Sequence, residues 1–124
     1  MGKHFQLLKL DATDSTNQYL KDLLRSEKPS DYTVVIAERQ LKGRGQMGTV
    51  WESEGRKNLT FSVLRRFDAL NVKHQFVLNI AVSLAVHDVL KELLVPDVTI
   101  KWPNDIMSGS KKICGILIEN VLKG

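Results

Sequence analysis

Residues 43 to 48 read Gly-Arg-Gly-Gln-Met-Gly, a literal G-x-G-x-x-G, the pattern with which dinucleotide-binding folds cradle phosphate. That chemistry needs a strand running straight into the first glycine and a helix leaving from the last, so that helix N–H groups meet a pyrophosphate. Neither neighbour fits. Residues 39 to 42, RQLK, mostly polar, separate the β-branched run YTVVIAE (32 to 38) from Gly43. The stretch after Gly48, TVWESEGRKNLTFSV, has no apolar residues at helical spacing. A Walker A loop is excluded because Gly-Lys-Ser/Thr is missing. What remains is a basic, glycine-rich loop whose backbone can approach a ligand closely.

Three further stretches place chemistry-bearing residues at element ends. DSTN (14 to 17) sets short hydroxyl and amide side chains at a helix start, where free backbone N–H groups converge. KWPND (101 to 105) ends a strand with a lysine, an amphipathic tryptophan, a rigid proline, then an amide beside a carboxylate. KKICGILIE (111 to 119) puts two lysines at the mouth of an apolar strand, with Gly115 leaving room beside it, an arrangement suited to an anion. Each stretch alone has an ordinary structural explanation, as N-cap, turn and core strand. Their combination and order carry more.

The elements that must position them follow from periodicity. FQLLKL (5 to 10) is a short strand, and DATDSTNQYLKDLLRSEKP a helix capped by Asp14 or Ser15 and stopped by Pro29. A strand over 32 to 38 precedes a long loop over 39 to 58, and 58 to 66 alternates as another strand. Residues 72 to 94 form an apolar helix belonging to the core. DVTIKW is a strand, PND a turn, and the rest a hairpin whose second strand runs from 112 to 121. The fold class is α+β, a mixed, mainly antiparallel sheet packed by helices.

The 124 residues suit a single domain, and 43% hydrophobic with 26% charged residues is ordinary globular composition. The net charge of +4 favours anionic partners in general. Cys114, the single cysteine, excludes an internal disulfide and reads as a buried, inert thiol of a cytoplasmic protein. The start has neither a signal-peptide core nor a myristoylation pattern, and FVLNIAVSLAVHDVL (76 to 90) is too short and polar to span a membrane. His4, His74 and His87 lack metal-ligand spacing, and no catalytic triad is readable.

The ordered set DSTN, GRGQMGTVW, KWPND and KKICGILIE closely resembles the catalytic domain of biotin protein ligases, from about residue 8 to residue 120. The resemblance implies one catalytic domain over 1–124 with the biotin/lipoate protein ligase (class II synthetase-like) fold. It implies ATP-dependent activation of biotin to biotinyl-5′-adenylate, with Mg²⁺, and transfer to a lysine of a biotin carboxyl carrier protein. Ser15, Thr16 and Asn17, with Gln40, match the positions that contact the biotin head group. Gly43, Arg44, Gly45 and Gln46 match the loop that closes over biotin and the adenylate phosphate, and Trp51 the aromatic that packs as the loop orders. Lys112 matches the lysine reaching the biotin carboxylate and phosphate, with Gly115 giving clearance. By the same resemblance Lys112 and Arg44 are expected to be the catalytic cations. Asn104 and Asp105 match the corner near the ATP phosphates, Asp105 as the Mg²⁺ candidate.

The chain departs from that pattern in places. Gln46 and Thr49 stand where many relatives have arginines, and no DNA-binding segment precedes residue 1. The family's next sheet strand and small C-terminal β-barrel do not follow Gly124, an open edge that a second copy of the chain could cover. The alternatives are a lipoate-type ligase, a truncated biotin- or adenylate-binding relative, and a nucleic-acid-binding module using the basic stretch Arg39 to Arg66. The last has few aromatics interleaved with its charges. No partnership with DNA or a membrane is expected.

Overall fold

Two parallel strands joined by a helix open the computed structural model, which describes residues 5–68 and 71–122: β1 (Gln6–Thr13), α1 (Thr16–Ser26) and β2 (Thr33–Gln40). Parallel neighbours require such a crossover, because no tight turn can return the chain in the same direction. The register pairs Gln6 with Thr33 and Thr13 with Gln40, so β2 ends level with the start of α1. Ser15 is the N-cap, its hydroxyl accepting from Gln18 N at 3.2 Å. The helix ends as Glu27 N donates to Leu23 O, two residues before Pro29.

Residues 39 to 58, expected as an unstructured loop, contain a small antiparallel pair, β3 (Gly43–Arg44) and β4 (Val50–Trp51), bridged by a 3₁₀ turn over Gln46–Gly48. Then β5 (Thr60–Val63) pairs antiparallel with β2, giving the sheet order β1-β2-β5. Helix α1 packs on β2 and β5. On β2 the inward residues Thr33, Val35 and Ala37 are buried, and Leu20 of α1 is buried as well.

The chain divides into two compact units, and these elements belong to the first, together with the residues from Glu119 onward. The second unit, ending at Ile118, holds α2 (Gln75–Glu92), entered through a 3₁₀ turn at Val72–His74, and an antiparallel sheet in the order β6-β7-β8. Its strands are β6 (Val98–Lys101), β7 (Asp105–Ser108) and β8 (Lys111–Gly115). In place of the single mixed sheet expected from sequence, the described residues form three sheets. The α+β class holds, with the parallel pair β1 and β2 as the one β-α-β unit among the described residues.

Two expectations for the second unit need correction. The last strand stops at Gly115 rather than running to 121, because Asn104 takes over the partner groups: Ile116 N donates to Asn104 O at 3.0 Å, and Asn104 Nδ2 donates to Ile116 O at 2.5 Å. Helix α2 is not enclosed as a core helix. It packs on β6 and β7, its one buried residue is Ser83, and Phe76, Val77, Leu84 and Val89 are exposed. The Ser83 hydroxyl donates to Pro103 O at 3.1 Å, tying α2 to the corner between β6 and β7.

Ile106, on β7, is the fully buried large apolar side chain of this unit among the described residues. Ile106→Ala is expected to cost about 2–5 kcal/mol in urea unfolding, the range for buried aliphatic truncations. A cost below about 1 kcal/mol would contradict this placement of the core.

Candidate functional site

The end of β2 does more than complete a ladder. Leu41 N donates to Thr13 O at 2.8 Å and Lys42 N to Asp14 O at 2.7 Å, carrying the backbone past the start of α1. Gln40 is thereby delivered to the helix N-terminus, where its Oε1 accepts from Thr16 N at 2.9 Å. The first N–H of a helix has no partner within it, and here a side chain of β2 provides one.

Around this cap runs a chain of polar side chains. Thr16 Oγ1 lies 2.7 Å from Ser62 Oγ, and Ser62 donates to Asn17 Oδ1. Each hydroxyl has one proton, so Ser62's donation to Asn17 leaves Thr16 as the donor to Ser62. Asn17 Nδ2 then donates to Glu119 Oε1 at 3.2 Å. The same carboxylate takes Arg44 Nη2 at 2.9 Å on Oε1 and Lys21 Nζ at 2.5 Å on Oε2. Asn17 and Lys21 are one helical turn apart and share a face of α1. Burial pushes the Glu119 carboxyl up, but hydrogen bonds from Lys21 and Asn17 and the charges of Arg44 and Lys21 outweigh it, holding the group below the usual carboxylate range.

The glycine loop attaches to this corner through close packing. Gly43 is buried, and a Cβ there would strike Trp51 O and come within 2.7 Å of Gln40 Nε2. A Cβ at Gly45 would meet the Thr49 hydroxyl, which donates to Gln46 O at 2.8 Å. Met47 takes the left-handed region at φ 54° with its side chain in solvent, and Gly48 has φ 77°. Gln40, Gly43 and half-buried Trp51 line an open cleft of about 420 Å³, edged by Glu52 and Glu54. No helix leaves the loop, in keeping with the exclusion of a dinucleotide fold.

Ser15, Thr16, Asn17, Gln40, Gly43, Arg44, Gly45, Gln46 and Trp51 all fall in the first unit, and all but Gly45, which packs against Thr49, and Gln46, whose side chain is exposed, meet around this corner or the adjoining cleft. Asn104, Asp105, Lys112 and Gly115 fall in the second. There Lys112 Nζ pairs with Asp105 Oδ1 at 2.9 Å, and Gly115 sits opposite Asp105 in the β7–β8 ladder. Asn104 is buried and its amide nitrogen is given to Ile116 O. Cys114 has its thiol pushed up by burial, then by the Asp105 charge, against the opposing charge of Lys112. It is therefore kept from acting as a thiolate. His74 Nδ1 accepts from Asn71 N and His87 lies beside Asp88, while His4 is outside the described residues.

Sequence reasoning missed two members of the corner. Ser62 was hidden because strand alternation normally turns the apolar face inward. Here Phe61 and Val63 point outward and Ser62 is buried opposite Val35. Glu119 was visible as the acidic end of KKICGILIE, but nothing local shows that it returns to α1.

The model of the biotin/lipoate A/B protein ligase family matches residues 10–124. The chain belongs to that family. It is 37% identical over 110 residues to a biotin–[acetyl-CoA-carboxylase] ligase of Mycobacterium tuberculosis, covering 86% of this chain and 41% of that protein. Among solved structures, biotin protein ligase from Aquifex aeolicus in complex with biotin and ATP matches with a TM-score of 0.76 and 35% identity, over 93% of this chain and 47% of that one. Biotin protein ligase from Leishmania major in complex with biotinyl-5-AMP gives 0.79 and 28%, over 94% and 52%. The chain spans less than half the length of the curated relatives it matches.

Two outcomes follow from the corner's chemistry. Ser62→Ala strands the Thr16 hydroxyl and the Asn17 carbonyl, and is expected to cost about 1–3 kcal/mol in urea unfolding. A neutral effect would show that the polar chain is not formed. Because the folded pKa of Glu119 is depressed, its stabilisation is complete above the unfolded value of about 4.3 and is lost as the pH falls through the lower folded value. The gap in urea midpoint between wild type and Glu119→Gln should therefore be steady near neutrality and shrink in acid. A gap that widens in acid would contradict the sign.

Proposed function

We propose that the protein activates biotin with ATP to biotinyl-5′-adenylate and passes biotin to a lysine of a biotin carboxyl carrier protein. The observation that carries this reading is the α1 corner. Ser15, Thr16 and Asn17, fixed by their own hydrogen bonds, hold Gln40 in one orientation beside a loop whose glycines admit close approach. A small polar head group such as biotin's cyclic urea needs such groups in fixed orientation. Gln40 Oε1 is held by Thr16 N, which leaves its amide nitrogen, packed over Gly43, as a donor aimed by the fold. Arg44, Gly45, Gln46 and Trp51 are proposed to close over the ligand, excluding water from a mixed anhydride that water would hydrolyse.

The reaction joins two anions, since the biotin carboxylate attacks the α-phosphate of ATP and pyrophosphate leaves. A fixed cation counts for more where water is excluded: a unit-charge pair at 4 Å gives about 1 kcal/mol in water and about 4 at an effective dielectric of 20. Lys112 and Arg44 are proposed for this role, with Gly115, Asn104 and Asp105 shaping the ATP side. The Asp105 carboxylate is taken by Lys112 at 2.9 Å, and no group of three metal-ligating side chains occurs among the described residues. A lone carboxylate holds Mg²⁺ only with phosphates supplying other ligands. We therefore assign Asp105 to orienting Lys112, with Mg²⁺ entering as the complex with ATP.

No described helix is long and apolar enough to cross a membrane; a cytoplasmic location is proposed only with the ligase reading. A homodimer through β8, an edge strand of its sheet, belongs to the same proposal. Neither the lipoate-type nor the nucleic-acid reading has a structural observation in its favour.

Incubation with ATP, Mg²⁺ and either biotin or lipoate should give pyrophosphate and an acyl-adenylate with biotin alone. Release with lipoate instead would overturn the substrate assignment, and silence with both the activity. Lys112→Ala should lower the biotin-dependent rate by roughly 10²–10³, the usual cost of losing one aimed charge-stabilising donor. A wild-type rate in that variant would remove Lys112 from the chemistry.

A further inference from the structure

The Glu119 carboxylate receives Asn17 Nδ2, Arg44 Nη2 and Lys21 Nζ, three donors from two separate stretches of the first unit. None of these contacts is required by the fold of α1, whose own cap is made by Ser15 and Gln40. Their common effect is on groups that face the ligand in the reading above. An amide side chain can be turned either way, and Asn17 is fixed because its oxygen takes the Ser62 proton while its nitrogen meets an anion. Reversed, its oxygen would face the Glu119 carboxylate. The direction of the chain from Thr16 through Ser62 to Asn17 is thus set at its Glu119 end. Arg44 is the one loop side chain anchored to this corner by an ion pair among the described residues.

We propose that Glu119 is a positioning residue for biotin activation, fixing the amide orientation of Asn17 and the guanidinium of Arg44 before ligand arrives. This rests on the functional reading above. Glu119 contributes through these two residues and need not touch the substrate. Lys21, on the other carboxylate oxygen, supplies charge balance to the anchor but no contact of its own to the loop.

The test compares the wild-type chain with Glu119→Gln, which keeps the shape and removes the charge, and with Lys21→Gln. Amide hydrogen exchange in the ligand-free proteins reads the anchor without any assumption about substrate. Glu119→Gln should accelerate exchange over residues 43 to 51 while β2 and β5 stay protected, and Lys21→Gln should not. The biotin KM of Glu119→Gln should rise between about tenfold and a hundredfold, the scale of a misplaced positioning group, with kcat falling as well through the displaced Arg44. Equal exchange in all three proteins, or an unchanged biotin KM beside normal wild-type turnover, would overturn the positioning role. Faster exchange in a chain whose wild type neither binds nor activates biotin would overturn the functional reading instead. If Glu119→Gln does not fold, a ¹³C titration of the Glu119 carboxyl in wild type and Arg44→Gln decides. A midpoint raised by Arg44→Gln supports the pairing, and an unchanged midpoint overturns it.

Discussion

The backbone N–H of Thr16 begins a helix and has nothing inside that helix to bond to. In this protein the partner is the side chain of Gln40, 24 residues along the chain and at the end of the neighbouring strand. That hydrogen bond can form only if β1 and β2 keep their parallel register through Thr13 and Gln40, and only if the backbone passes the helix start before turning into the glycine loop. Once it is made, Thr16 and Asn17 are held against Ser62, and Gln40 must pack where Gly43 has no Cβ. A one-residue slip of β2 would move Gln40 to the other face and undo all of this. The corner and the fold are in that sense a single arrangement.

The energetics of the two units explain where order is concentrated. Few apolar side chains are fully buried among the described residues, and the first unit depends heavily on polar groups at its centre: Ser15, Thr16, Thr33 and Ser62 are all buried. Buried polar groups are costly unless paired, and a fully paired network specifies one geometry more sharply than an oily core does. The pairing of Thr16, Ser62, Asn17 and Glu119 meets that condition. The second unit has an apolar surface on α2 and a pinned corner, where Ser83 and Asn104 hold the turn between β6 and β7. That corner sets Asp105 opposite Gly115 and so brings Lys112 within reach of its carboxylate.

Much of this was legible in the residues. An N-cap at Asp14 or Ser15, a strand over 32 to 38 and a helix over 72 to 94 follow from local hydrogen-bonding chemistry, β-branching and periodicity; the structure caps with Ser15, carries the strand on to Gln40 and sets the helix at Gln75–Glu92. The absence of a helix after Gly48 was readable too, and it removed the dinucleotide fold. What could not be read was any property decided by partners distant in sequence. Ser62 lies inward because Thr16 and Asn17 await it, against the usual sense of alternation. Glu119 belongs to the corner because Lys21, 98 residues earlier, and Arg44, 75 residues earlier, converge on it. The end of β8 at Gly115 depends on an amide at Asn104 that reads locally as a turn residue.

The α1 corner is proposed as a prearranged site for the biotin head group. Its most direct test is a ¹⁵N-resolved NMR titration of the chain with biotin alone, without ATP. The account predicts that the largest shifts fall on the amides of Thr16, Asn17, Gln40 and Gly43, with the Gln40 side-chain amide moving among them. Saturable binding whose shifts spare these residues, or no binding at all, would contradict it.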